Sequence, residues 1–305
     1  QSIDNSAQGQ MTAQGQLNIQ SQAEINNQTG KLIANGLLQV KGEGLNNTQG
    51  QIGSLQDQVI VQAGQGALTN QSGTIQAKKD LSVTAQSVDN QSGQMNSQGQ
   101  LQLNSQQAIN NLEGLIAADL GLKLNSQGLN NNRGQIGSAQ GDVDLNAGNG
   151  LLSNQAGVVL SGKALTLNAG QVDNSNKGQI NSQADLAIST VKEINNQSGV
   201  IASNQQLTLK SQGLNNNAGQ IGSVQGQIQL DAGQFRLENQ QGLIQAGQGI
   251  NIVANGVNNA QGQINSKNLI QLNSQGQLLD NSQGTLSSES IKIDSGRLNN
   301  NQGLI

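Results

Sequence analysis

Aliphatic residues fall on a fixed grid along this chain, and the polar residues between them repeat in step. The most regular stretch, Leu129-Asn130-Asn131-Asn132-Arg133-Gly134-Gln135-Ile136, shows the skeleton: an aliphatic residue, any residue, Asn, two or three residues, Gly, any residue, and a second aliphatic. The Asn recurs at Asn5, Asn27, Asn47, Asn70, Asn90, Asn111, Asn131, Asn154, Asn174, Asn196, Asn216, Asn239, Asn259, Asn281 and Asn300, fifteen copies spaced 19 to 23 residues apart. Gly follows three positions later in thirteen copies and four later in the two that end at Gly9 and Gly178. Between motifs runs a short alternation, as in Leu101-Gln102-Leu103, Leu122-Lys123-Leu124, Val143-Asp144-Leu145 and Ile228-Gln229-Leu230. Period-two alternation reads as a strand with one buried face.

A period near 21 residues is too short for a helix-turn-helix repeat and fits a solenoid of short strands and turns. The sequence therefore predicts an all-β, right-handed parallel β-helix of about fifteen coils, each with three short sides and a core formed by stacking. At the strand spacing of about 4.8 Å, fifteen coils predict a rod on the order of 70 Å long. A longer period overlies the short one: Gly-Gln-Ile-Gly-Ser starts at Gly50, Gly134 and Gly219, so four coils form a super-repeat of 84 to 85 residues. No linker interrupts the series, and residues 1–305 read as one array. Both ends abut a copy of the motif without a polar or helical cap, so the chain is expected to be a piece of a longer array, uncapped at both ends.

Turn chemistry accounts for the motif. Asn tolerates the left-handed backbone and bonds to nearby main chain, which suits a corner. Identical Asn side chains stacked coil on coil are also placed to bond to one another in a ladder. The Gly suits a second position with positive φ or with no room for Cβ. All fifteen Asn are expected to form this structural corner ladder.

Composition supports a thin solenoid over a compact globule. The chain has no Pro, Cys, Trp, Tyr or His, and its only aromatic is Phe235. A disordered Gln/Asn-rich segment would share the polarity but has no need of the aliphatic grid. Charged residues are 10% of the chain and the net charge is −4, without a basic patch for nucleic acid or a charged tail. No apolar run is long enough to cross a bilayer. The missing Cys means only that no disulfide contributes.

Candidate chemistry is sparse. Without His or Cys, the common nucleophile-base pairs and zinc sites are ruled out. Asp142 and Asp144 share an outward face on which a hard cation would find two carboxylates, but Lys123 lies one coil before Asp144, and a solvent-exposed cross-strand pair is the better reading. Lys78-Lys79-Asp80 reads as a solvated turn, and the glycines from Gly141 to Gly150 as turn material. Phe235-Arg236 interrupts the aliphatic rule. A contact patch is one reading, and a core filler where one coil widens is preferred. No catalytic, metal or cofactor site is assigned, and the chain is not expected to be an enzyme.

The unit Leu129 to Ile136, followed by Val143-Asp144-Leu145-Asn146-Ala147-Gly148, resembles the repeats of filamentous haemagglutinins and the related contact-dependent growth inhibition exoproteins of Gram-negative bacteria, over essentially all 305 residues. That resemblance implies a long β-helical filament secreted to the cell surface through an outer-membrane two-partner-secretion transporter. It also implies that a host or target-cell receptor is met by regions outside this segment. The chain is accordingly read as a shaft that projects adhesive, receptor-binding or toxin regions. A glycan- or partner-binding surface is the alternative, and a carbohydrate-active β-helix enzyme a third reading that lacks clustered carboxylates. No nucleic-acid partner is expected, and the low charge and many outward amides make lateral self-association a further expectation.

Overall fold

A computed structural model describes all residues 1–305. Strands and turns are its only regular structure, and every pairing between strands is parallel. The chain forms two compact units, Gln1–Leu152 and Ser153–Ile305. Each unit holds seven strands of each of three sheets, and the strand Leu151–Ser153 spans the boundary. Complete three-sided turns thus number about fourteen, of about 21 residues each: an all-β parallel solenoid, as the aliphatic grid predicts.

One turn of the first unit shows how the sequence becomes structure. Its first side is Ile109–Asn110, its second Leu115–Ala118 and its third Gly121–Asn125. One turn later the same positions pair in register: Ile109 with Leu129, Ile116 with Ile136, Leu122 with Val143 and Leu124 with Leu145. The second unit repeats this, with Ile194 beside Leu214, Ile201 beside Ile221, Leu207 beside Ile228 and Leu209 beside Leu230. Because side chains alternate across a strand, each turn sends four aliphatics inward, one from each of the first two sides and two from the third. Like stacks on like, so the interior consists of continuous aliphatic columns. A single turn would leave the upper and lower faces of these side chains wet, and it is the neighbouring turns that cover them.

Two corners are closed by small buried residues. Ser54, Ser97, Ser138, Ser161, Ser182, Ser203 and Ser223 end second-side strands, with Ala34, Ala77, Ala118 and Ala246 at the same place in other turns. Their hydroxyls bond to corner backbone: the Ser54 Oγ donates to the Gly36 oxygen at 2.6 Å and accepts from the Asp57 N–H at 2.9 Å. The third corner, between the first and second sides, belongs to Asn.

Candidate functional site

The Asn corner is the most repeated arrangement of polar groups in the molecule. From Asn5 to Asn131 in the first unit, and from Asn154 to Asn300 in the second, each Nδ2 donates to the Oδ1 of the Asn one turn on at 2.7–2.8 Å. The second amide hydrogen faces two carbonyls. For Asn216 these are the oxygen of Gly219 in its own turn and that of Leu243 in the next, both at 3.3 Å. Apart from Asn5 and Asn300, these side chains are fully buried. Burying an amide is costly unless its hydrogen bonds are made, and the ladder makes them turn after turn.

The backbone of the corner corrects one expectation. Neither the ladder Asn nor the motif Gly takes positive φ; that conformation falls on the residue just before the Gly, such as Thr29 at 59°, Arg133 at 55°, Ser198 at 58° and Ala218 at 54°. A β-turn explains it. The Gly219 N–H donates to the Asn216 carbonyl at 3.0 Å, so Ala218 is its third residue, where a type II turn places positive φ. In the two longer corners the strain is doubled: Ala7 and Gln8, and Asn176 and Lys177, are both left-handed. Gly is needed for room. A Cβ on Gly219 would lie 2.7 Å from the Asn216 Oδ1 and closer still to the Asn196 carbonyl of the previous turn.

A second ladder, absent from the sequence reading, runs beside the first. The residue before the ladder Asn is Asn or Asp in twelve of fifteen copies. Its side-chain oxygen accepts the N–H two residues on, as from Asn132 to Asn130 at 3.1 Å and from Ser175 to Asp173 at 3.1 Å. Its amide, where present, donates to the previous turn: Asn130 to Asn110 at 2.9 Å, Asn215 to Asn195 at 3.1 Å, Asn26 to Asp4 at 3.2 Å. The outer ladder therefore donates towards the N-terminus and the inner towards the C-terminus. Half-exposed and able to end a run by accepting only, the outer site accommodates Asp4, Asp89, Asp173 and Asp280, whereas the inner site is Asn in every copy. The recurring Asp-Asn and Asn-Asn doublets were the signal in the sequence.

The charged candidates lie on the surface. Lys123 Nζ is 3.7 Å from Asp144 Oδ2, with both groups about half exposed, and Lys79 Nζ is 3.0 Å from Asp57 Oδ1. Asp80 accepts the Gln100 N–H at 2.8 Å. Side-chain and main-chain hydrogen bonds from Ser6 lower the pKa of the exposed Asp4. No group of three or more acidic side chains is placed to hold a metal ion. Phe235 departs from the preferred reading. It is 63% exposed, because Ala232 closes the corner and Leu237 supplies the inward column, which leaves no interior place for the ring.

Comparison with family models gives the haemagglutinin repeat at residues 2–72, 61–132, 113–141, 138–192, 190–238 and 236–305, which together span nearly the whole chain. No curated protein and no solved structure matches it.

Proposed function

Because the chain belongs to the haemagglutinin repeat family, we propose that it is a shaft segment of a secreted filamentous exoprotein that holds adhesive, receptor-binding or toxin-bearing regions away from a Gram-negative cell. Repeats of this family build filamentous, adhesin-like exoproteins. The observation that carries the reading is that the most repeated buried polar group, the Asn at each corner, is spent on bonding one turn to the next and is not gathered into a site. Parallel backbone pairing, aliphatic columns and two oppositely directed amide ladders all resist sliding of one turn over its neighbour, since a shift would break bonds at several places at once. The mechanism is mechanical, and no reaction is assigned to the chain.

On this reading the full-length protein leaves the cell through a two-partner-secretion transporter, and contact with a host or a competing bacterium is made by other regions. The test is to lengthen the chain by whole super-repeats and image the purified proteins. The expected result is particles of constant width whose long dimension grows by about 4.8 Å per added turn. Particles that widen with added repeats would overturn it. An antibody raised against the chain is expected to label intact source cells, and labelling only after permeabilisation would overturn the surface assignment.

A further inference from the structure

Within the second unit, one stretch of the corner between the third and first sides carries a groove of about 570 Å³. Its origin is a difference in turn length. From inward Leu209 to inward Leu214 is five residues, whereas Ile188 to Ile194 is six and Leu230 to Leu237 seven. The short middle turn, with Gly213 at its tip, forms a floor between two longer turns. Val191 walls one side and Phe235 the other, 65% and 63% exposed. Polar side chains rim it: Lys192, Glu193, Gln212, Asn215, Arg236 and Glu238. Arg236 Nε lies 3.5 Å from Glu238 Oε1.

The super-repeat supplies an internal comparison. The short turn recurs 85 residues earlier with Gly128 at its tip, but there Gln106 stands for Val191, Gln107 for Lys192, Gly150 for Phe235 and Leu151 for Arg236. That copy folds with the same turn, as the Gly150 N–H donates to the Ala147 oxygen at 3.0 Å and the Phe235 N–H to the Ala232 oxygen at 3.3 Å. The ring is therefore not needed to build the corner. An aromatic side chain has been added to a surface that the fold makes without it.

We propose that this groove binds a neutral sugar, one face of a pyranose ring stacked on Phe235 and its hydroxyls bonded to the rim. Three features select this class. The π face of an exposed aromatic is attractive to the weakly positive C–H face of a sugar ring. The rim offers both donors and acceptors, which hydroxyls need, and its two cations and two anions leave no net charge to favour a sulfated or basic polymer. Backbone edges are closed as well: Leu214 pairs with Ile194 on one side and Leu237 on the other, so a peptide strand cannot add here. This site is independent of the shaft reading, which stands or falls on particle length.

Phe235 is the only aromatic residue, so its ring protons are the only aromatic side-chain signals in a proton NMR spectrum of the chain. The chain is screened on an array of neutral and sulfated oligosaccharides, and retained sugars are titrated while the ring signals are followed. Binding of a neutral oligosaccharide is expected to shift them. Phe235→Gly, the residue of the internal copy, and Phe235→Leu are expected to weaken retention about tenfold or more, with Phe235→Trp retained. Circular dichroism confirms that each variant is folded. The proposal is overturned if no neutral sugar shifts the ring signals by about 10 mM, if only sulfated sugars do, or if Phe235→Gly binds unchanged. Shifts that follow protein concentration without sugar would also overturn it, by assigning the groove to a second copy of the chain.

Discussion

The side-chain oxygen of Asn216 lies 2.7 Å from the point at which a Cβ on Gly219 would begin. The three-residue spacing of the motif is thus a steric relation. The Asn side chain folds back over the turn to reach its neighbours, and the space it occupies is the space a side chain at 219 would need. Gly219→Ala is therefore expected to destabilise the chain by about 1–3 kcal/mol or more through overpacking against main chain. Denaturant unfolding of the purified variant measures this, and an unchanged midpoint would refute the steric account.

Asn216→Ala is expected to cost about 1–3 kcal/mol, because the Asn196 amide loses its acceptor and the Asn239 amide oxygen its donor. Asn216→Asp keeps the shape but loses both donors and buries a carboxylate, so at neutral pH it should be the worse of the two. Burial raises the pKa of such a group, and protonation restores a donor. The excess cost of Asp over Ala should accordingly shrink as pH falls. Parallel pH dependence of the two variants would count against the ladder.

Left-handed backbone outside Gly is unfavourable by about 1–2 kcal/mol. Ala218, at φ 54° on the surface, bears such strain. Ala218→Gly should raise stability by about 0.5–1 kcal/mol, the relief being partly offset by the greater freedom of Gly in the unfolded chain. A lower melting temperature for this variant would show that the corner is not strained.

Ser211 carries the one buried side-chain polar atom without a hydrogen-bond partner, in a column where Ala232 and Ala254 serve in the following turns. Ser211→Ala is expected to be neutral or stabilising by up to about 1 kcal/mol. Calorimetry decides it, and a clear loss would mean that the hydroxyl has a partner in solution.

Acid should act at Asp57. The hydrogen bond from Lys79, with a smaller one from the Gln58 N–H, holds its carboxyl below the usual range. A depressed folded value stabilises above the unfolded pKa, and that contribution is lost as pH falls through the folded value. Asp57→Asn should remove this acid-side dependence, and high salt should weaken it, since the pair is exposed. A carboxyl titration by NMR that leaves Asp57 unmoved by Lys79→Met would contradict the assignment.

The strands were legible because their signal is local. Val143-Asp144-Leu145 alternates with the period of a strand whatever lies beside it, and fifteen equal spacings of Asn leave little but stacking to explain them. The sequence by itself determined the three-sided turn, its period and the inward columns. What only the tertiary structure decided depends on neighbours one turn away. The left-handed conformation falls on Ala218 and not on Asn216 or Gly219 because the Asn196 carbonyl of the previous turn denies Gly219 a side chain and fixes the turn type. The outer ladder of Asn130 and Asn110 needs two turns before its bond exists. Phe235 sits outside because the columns at its level are already filled by Leu237 and its neighbours, and a lone aromatic reads as core until that stacking is seen.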